Sequence, residues 1–385
     1  MIDGRLAYPN HVSTGVASYA EALVVAAAAS GRPVELLIER PEYLARRPSG
    51  FDLGKVAAAT GWFSPLLKKA GVDGAPSIVA GAWAWPDIFR RAHVHFTAQR
   101  RFMRIKCPNP PQIMHWTYPL PIVMVGAKNV YTVHDLIPLR NPDLGVVSPK
   151  RHAAIIKQMA FHADHIVTIS EHSRREIVDH LGCSPDFVTN TYQCVLTEAA
   201  AGAERVRGLG LRPGNYFLFC DSGEARKNGE RVVEAFYRSK VSRPLVIVSP
   251  GSADQRGDPK GGGIRRLSPQ PRDVLLALIR EATGLIMPSL AEGFGLPVAE
   301  AFALGVPVLS SDDGALAEIS AAAALEVDPT DIDAIAGGFA RLDGDEELRR
   351  RLVAAGALRA AKFSVPAYAG RLRSLYDRLT PFEQP

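Results

Sequence analysis

Short apolar runs, rich in β-branched residues, recur along this chain, and each is followed by a stretch with helical spacing. In the first half the runs are Val34–Ile38, Val130–Val133 and Ile166–Ile169, with helical patterns at Val16–Ala28 and Pro149–His162. In the second half they are Tyr216–Phe219, Leu245–Val248, Gly284–Met287 and Val306–Leu309, with helices expected at Gly229–Ser239 and Val298–Leu304. Strands alternating with helices form parallel sheets covered on both faces, since a parallel return needs a crossover. A single core rarely grows past roughly 250–300 residues, so 385 residues call for two domains. The segment Glu198–Gly214, rich in Ala, Gly and Arg and closed by Pro213-Gly214, reads as the linker. The expected architecture is α/β: two doubly wound domains, residues 1–197 and 198–364, facing a cleft. The tail Val365–Leu379 carries Tyr368, Leu372 and Leu375/Tyr376 at helical spacing and reads as one more amphipathic helix. Ligands of such sheets bind beyond the carboxyl ends of the strands.

Composition excludes several classes. Hydrophobic residues at 47% and charged residues at 22% describe a globular chain, neither disordered nor fibrous. No run of about 18 apolar residues occurs, and no cationic start precedes an apolar core, so neither a membrane span nor a signal peptide is expected. Cys107, Cys183, Cys194 and Cys220 lie far apart, without the spacing of a disulfide framework or a zinc site. A cytoplasmic location is expected.

Charge is uneven. Residues 1–195 hold 21 Lys/Arg against 15 Asp/Glu, and the remainder 24 against 25, so the net +5 comes from the first half. No acidic residue occurs between Asp87 and Asp135, where Arg90, Arg91, Arg100, Arg101, Arg104, Lys106 and Lys128 interleave with Phe102, Trp116 and Tyr118. Such a stretch is either a solvated basic face or a surface for an anionic partner. Without any nucleic-acid motif beside it, anionic lipid is the better partner.

The chemistry concentrates between Pro288 and Glu300. An apolar strand, Gly284–Met287, runs into a loop containing Gly293 and Gly295 and then a helix, with Pro297 at its start and Gly305 at its stop. Backbone N–H groups around Phe294, Gly295 and Leu296 therefore point out of a helix N-terminus, where glycines let an anion approach. Glu292 and Glu300 flank this anion site. A carboxylate accepts two hydrogen bonds from vicinal hydroxyls, as a ribose or hexose presents them. Taken singly, Glu300 complements a helix dipole and Glu292 is solvated; taken together they fit a nucleoside-diphosphate sugar. Arg226-Lys227, after the strand Tyr216–Phe219, adds cations at another carboxyl end.

Two glutamates with seven residues between them, in Glu292-Gly-Phe-Gly-Leu-Pro-Val-Ala-Glu300, resemble the signature of retaining family 4 glycosyltransferases, which have the GT-B fold of two Rossmann-like domains. Thr14-Gly-Val-Ala-Ser-Tyr-Ala-Glu-Ala-Leu23, Thr132-Val-His-Asp-Leu136, Ile169-Ser-Glu-His-Ser-Arg174 and Glu224-Ala-Arg-Lys-Asn228 resemble further family segments in order. The resemblance implies that Glu300 takes the ribose hydroxyls and Glu292 those of the transferred sugar. Phe294, Gly295 and Leu296 would hold the diphosphate and sugar by backbone N–H groups, and Arg226 and Lys227 would contact diphosphate oxygens. It also implies that His134 lies near the anomeric carbon, Gly15 approaches phosphate and acceptor, and Ile264, Arg265 and Leu267 fall where the base is read, partly by backbone. Ser170 and Glu171 help to shape the cleft, although a helix N-cap accounts equally well for Ser170 or Ser173. The C-terminal helix, to residue 380, would cross back onto the first domain. Asp221 departs from the family pattern, which often has Arg or Gly there, and the start at Ile2-Asp-Gly-Arg makes the first strand short.

The resemblance implies hexosyl transfer with retention, without a metal or other cofactor, from a nucleotide-sugar to a saccharide or lipid-linked saccharide in bacterial surface polysaccharide synthesis. GDP-mannose is the first expected donor and a UDP-hexose the second; the enzyme would work at the cytoplasmic face of the inner membrane. Asp312-Asp313-Gly314 reads as a turn rather than a metal motif. Gly261-Gly-Gly263 is a bare triplet and not the fingerprint of a dinucleotide-binding dehydrogenase. A GT-B epimerase or phosphorylase has the same fold but fits the signature less well. A catalytically idle, sugar-nucleotide-binding partner subunit is the alternative from another class.

Overall fold

The computed structural model describes residues 1–6, 14–39, 65–71, 77–144, 148–198, 200, 202–251 and 263–380. Gly261 and Gly262 of the triplet and Ala199 and Ala201 of the linker lie outside them.

The N-terminal strands are β1 Ile2–Asp3, β2 Val34–Ile38, β3 Lys68–Ala70, β4 Val79–Ala84, β5 Met103–Ile105, β6 Ile113–Trp116, β7 Ile122–Met124, β8 Lys128–Thr132, β9 His165–Thr168 and β10 Val188–Asn190. Eight of them form one sheet in the order β10-β9-β8-β6-β1-β2-β4-β3; β5 and β7 pair separately. All pairings in the large sheet are parallel except β3 with β4. The second sheet is wholly parallel, from β11 Phe217–Cys220, β12 Leu245–Val248, β13 Ile264–Leu267, β14 Gly284–Met287, β15 Val308–Ser311 and β16 Leu325–Val327, in the order β13-β12-β11-β14-β15-β16.

Each order reverses once. In the first sheet the chain winds outward on both sides of the β1/β6 pair, and in the second on both sides of β11/β14. A crevice opens at such a switch point, because the flanking helices lie on opposite faces of the sheet. Asp3 and Thr117 stand at the carboxyl ends of the first pair. Asp221–Lys227 and Pro288–Leu296 follow the second.

The C-terminal helix Val365–Leu379 leaves the second sheet and packs on the helix Gly15–Ala29. Its Tyr368, Leu372, Leu375 and Tyr376 are buried, each worth about 1.5–3 kcal/mol. Polar contacts fix its register. Arg373 Nε donates to the Ser30 carbonyl (2.8 Å), Arg32 pairs with Asp377 (2.8 Å), and the Tyr376 hydroxyl meets His115 Nδ1 (2.6 Å).

Several elements depart from the sequence reading. β4, β6, β10, β13 and β16 were not expected, nor was the helix Ile88–Gln99. β15 begins at Val308 rather than Val306, because Pro307 has no N–H for the ladder and offers only its carbonyl, to Leu285 N (3.0 Å). In the helix Leu296–Ala303, Pro297 is the second residue and Glu300 the fifth, so Glu300 lies beyond the first turn. Gly305 (φ +73°) follows the helix, as expected of a stop.

Candidate active site

The loop after β11 turns sharply at Asp221, whose Oδ1 accepts from Gly223 N (2.8 Å), and then winds one 3-10 turn over Ala225–Lys227. Asn228 ends that turn in the left-handed region (φ 66°), tied by Nδ2 to the carbonyls of Pro288 (2.9 Å) and Pro329 (2.6 Å). The same loop is stitched to the one after β14 by Leu290 N donating to the Arg226 carbonyl (2.7 Å). Arg226 and Lys227 are thereby held against Glu292.

Glu292 divides its carboxylate between them: Oε2 to Arg226 (2.7 Å) and Oε1 to Lys227 Nζ (2.6 Å). Arg226 also pairs with Glu224 (2.6 Å). The Lys227 and Glu292 side chains are only 10% and 9% exposed, so the cluster lies in a low-dielectric setting. Burial pushes the Glu292 carboxyl up, but Lys227 and Arg226 outweigh it, and the net shift is downward. For Arg226, burial opposes the charge and its carboxylate partners win, raising its pKa.

Glu300 is buried in the helix after the loop, with one oxygen held by Arg272. Burial raises its carboxyl above the usual range, and Arg272 opposes the rise. Gly295 (φ +90°) precedes that helix, a conformation that favours glycine. The first N–H groups of a helix have no partner within it, so Phe294–Leu296 present donors here. The Phe294 ring packs edge-to-face on Phe363 (5.3 Å).

The first domain closes the other side. His134 follows β8, and its Nε2 lies 2.9 Å from the Thr117 carbonyl. Only a donor suits a carbonyl, so in the neutral ring Nδ1 is the acceptor. Burial holds the imidazole neutral, its pKa pushed down to about 4. Tyr19 stands edge-on to the ring (4.7 Å), with its hydroxyl 2.8 Å from Thr132 Oγ1, which in turn meets His115 Nε2 (3.0 Å). Asp135 is half-buried and raised to about 6 by burial. Gly293 lies directly against it, since a Cβ added there would stand 2.9 Å from Asp135 Oδ2 and 3.1 Å from the His134 carbonyl. The backbone at His134 and Asp135 therefore meets the Glu292 loop across the cleft.

Other expected residues fall differently. Gly15 is exposed as the first residue of its helix, capped by Thr14. Ser170 is the cap of the helix Glu171–Leu181, accepting from Ser173 N (3.0 Å). Asp313 caps the helix Gly314–Ser320. Ile264 and Leu267 are buried on opposite faces of β13, in two different cores, and the Arg265 guanidinium is turned to the Leu209 carbonyl. Their side chains are taken up within the fold, so what these three positions offer a base is chiefly backbone, in keeping with an expectation that rested partly on backbone.

The basic stretch divides as well. Arg90 pairs with Asp87 (2.7 Å) and Arg91 is partly buried, whereas Arg100, Arg101, Arg104 and Lys106 are exposed. Phe161, 79% exposed, neighbours His162, whose ring packs on Phe102 (5.1 Å).

Sequence reasoning missed three residues. Arg272 was visible only as a cation at the start of a helix, contrary to the dipole. Asp135 stood inside a quoted segment without a role. Glu318 accepts from Glu171 N (2.8 Å) and His172 N (2.7 Å) across the cleft, a pairing that no local pattern encodes. Among the described residues no group of three or more His, Cys, Asp or Glu is placed to hold a metal ion, and no helix is long and apolar enough to cross a membrane.

Residues 210–359 match the family model for glycosyl transferases group 1. The chain is 30% identical over 224 residues to the O-antigen chain mannosyltransferase B of Escherichia coli, covering 52% of this chain and 56% of the relative. It is 28% identical over 275 residues to the serotype-specific mannosyltransferase WbdA of Escherichia coli, covering 65% of this chain and 33% of that one. A D-inositol 3-phosphate glycosyltransferase of Acidothermus cellulolyticus is 29% identical over 267 residues, 62% and 59% of the two chains. The chain thus spans between a third and three-fifths of the length of these relatives. Among solved structures, sucrose-phosphate synthase from Thermosynechococcus elongatus superposes with a TM-score of 0.67 at 18% identity over 98% of both chains. HepE of Anabaena, solved in complex with UDP, gives 0.57 at 13% identity over 90% of this chain and 100% of that one. The fold is GT-B.

Proposed function

We propose that this chain, whose residues 210–359 belong to the glycosyl transferases group 1 family, is a retaining hexosyltransferase using a nucleoside-diphosphate sugar. The observation that carries the reading is the cluster of Arg226, Lys227 and Glu292 at one switch point, facing His134 at the end of β8 in the other sheet. Diphosphate oxygens would take Arg226, Lys227 and the N–H groups of Phe294–Leu296. Glu292 would turn to the hydroxyls of the transferred sugar, and Glu300 would accept the ribose hydroxyls.

Charge development explains the cations. Breaking the anomeric bond leaves negative charge on the diphosphate while the sugar becomes oxocarbenium-like. Arg226 and Lys227 are fixed toward that charge before reaction, and losing one such group costs about 3–4 kcal/mol, or roughly 10²–10³ in rate. The helix end contributes about 0.3–2 kcal/mol, so the cations dominate. These groups supply the role a divalent ion plays elsewhere, and the proposed reaction needs none. His134, neutral with Nδ1 as acceptor, lines the sugar's face of the cleft, and the departing phosphate serves as base for front-face attack.

Mannose from GDP-mannose is the first donor proposed, on the likeness to mannosyltransferases of Escherichia coli, and a UDP-hexose the second. The acceptor proposed is a saccharide or lipid-linked saccharide of a bacterial surface polysaccharide, reached from the cytoplasmic face of the inner membrane. Exposed Arg100, Arg101, Arg104 and Lys106, with Phe161 beside His162, suit an anionic lipid surface.

A thermal-shift screen of sugar nucleotides with and without EDTA tests the reading. A ligand at 100 times its Kd adds about 2.7 kcal/mol. Stabilisation by one nucleoside diphosphate series, unaffected by EDTA and lost in Glu300→Ala, is expected. A donor that binds but is neither hydrolysed nor transferred to any acceptor would favour the idle-subunit reading. Cosedimentation with anionic liposomes that survives charge reversal at Arg100, Arg101, Arg104 and Lys106 would remove the lipid surface.

A further inference from the structure

Glu300 is an incomplete ion pair. Its side chain is 1% exposed; Oε1 takes the Arg272 guanidinium, and Oε2 has no partner among the described residues. A buried carboxylate oxygen without a donor is costly, and a native fold keeps one where a ligand completes it. Arg272 is the first residue of the helix Arg272–Arg280, after Pro271, which provides no side-chain cap. A cation there opposes the helix dipole, so its placement is set by Glu300, 28 residues away, rather than by its own helix. Its side chain is 26% exposed, so the pair reaches solvent on the Arg272 side.

We propose that Arg272 is the positioning residue of the nucleoside subsite: its guanidinium clamps one oxygen of Glu300 and leaves the other turned to the ribose hydroxyls. This rests on the reading of Glu300 as the ribose acceptor. Arg272 acts through Glu300 and does not touch the reacting atoms. Burial raises the Glu300 carboxyl and Arg272 opposes that rise, while the clamp holds the carboxyl group in one orientation.

Calorimetric titration of the full chain with GDP and UDP, and with their 2′,3′-dideoxy forms, tests this. The wild type binds the ribonucleotide more tightly than the dideoxy form. Arg272→Gln weakens ribonucleotide binding by about tenfold or more and leaves dideoxy binding unchanged. Arg272→Lys restores most of the affinity, and Arg272→Gln adds nothing in a Glu300→Gln background. Equal loss for both sugars, or no loss with the ribose preference intact, overturns the role of Arg272 alone. A wild type that binds both forms equally, or binds neither nucleotide, removes Glu300 from the ribose and takes the proposal with it.

Discussion

Glu318 supplies to Glu171 what the turn before a helix cannot: its carboxylate accepts the N–H of Glu171 at 2.8 Å and that of His172 at 2.7 Å. The donors belong to the first domain and the acceptor to the second, so one helix N-terminus is satisfied only when the two are together. Ser170 takes the third N–H, from Ser173. Closure of the cleft is therefore written into hydrogen bonding as well as into packing.

Removing that carboxylate should loosen the closed form. Cap removal costs about 0.5–2 kcal/mol, so Glu318→Ala should lower Tm modestly and raise the radius of gyration in small-angle scattering. An unchanged radius would mean that Gly293 against Asp135 and the C-terminal helix hold the cleft without it.

Glu292 and the diphosphate compete for the same cations. Glu292→Gln should abolish transfer, by about 10²-fold or more, while nucleoside diphosphate binds at least as tightly as to wild type. Lys227→Ala should weaken both. The pair also separates in stability, because breaking a buried ion pair on one side costs about 3–5 kcal/mol. Calorimetric binding beside initial rates checks the split; parallel loss of binding in Glu292→Gln would show that its carboxylate does not stand in the phosphate's place.

Gly293 is where the donor loop touches the first domain. A methyl there meets Asp135 Oδ2 at 2.9 Å, so that side chain must shift, and the His134 carbonyl at 3.1 Å, where the backbone must give by a few tenths of an ångström. Gly293→Ala should push the loop from His134, reducing kcat by roughly tenfold or more with nucleotide affinity nearly unchanged, since the nucleotide's groups lie in the second domain. Equal rates in variant and wild type would mean that the cleft opens during catalysis.

Acid should destabilise the fold. His93, His115, His134 and His165 are held neutral by burial, at about 4, 3, 4 and 4 against an ordinary 6.5. The unfolded chain takes up these protons from pH 6.5 downward and the folded chain does not, so their stabilisation is complete above 6.5 and is lost toward pH 4. Asp3 and Asp135, raised to about 6 by burial, take up protons first in the folded state and offset part of the loss. Glu300, also raised by burial, adds to that offset, but the four histidines outweigh the three carboxyls, and Tm should fall between pH 7 and pH 5. A flat or rising Tm would mean that these rings are protonated in the fold.

What the sequence disclosed follows from where the information lies. β12 and β14 are continuous apolar runs because both faces of a central parallel strand are covered, and the reading found them to the residue. β4 reads Val-Ala-Gly-Ala-Trp-Ala, with too few β-branched residues to stand out, and β1 is two residues long. β15 was misplaced by two residues because Ser310 and Ser311 look like a turn. Both are buried in the sheet, and the Ser311 hydroxyl is satisfied by the Ser289 carbonyl (2.6 Å). The anion half of the candidate site sits in contiguous segments, so local pattern and the family resemblance together pointed to Glu292, Glu300, Arg226 and Lys227. Arg272 and Glu318 act on residues 28 and 147 positions away, a relation that only the packed helices define.

The helix Val365–Leu379 belongs by sequence to the end of the chain and by contact to its beginning. Any chimera that exchanges the second domain for that of another transferase therefore needs two junctions: one between β10 and β11, and one just before Val365. A single splice would carry a foreign last helix onto Ser30, Arg32 and His115, and the graft would fail in the half that had been left untouched.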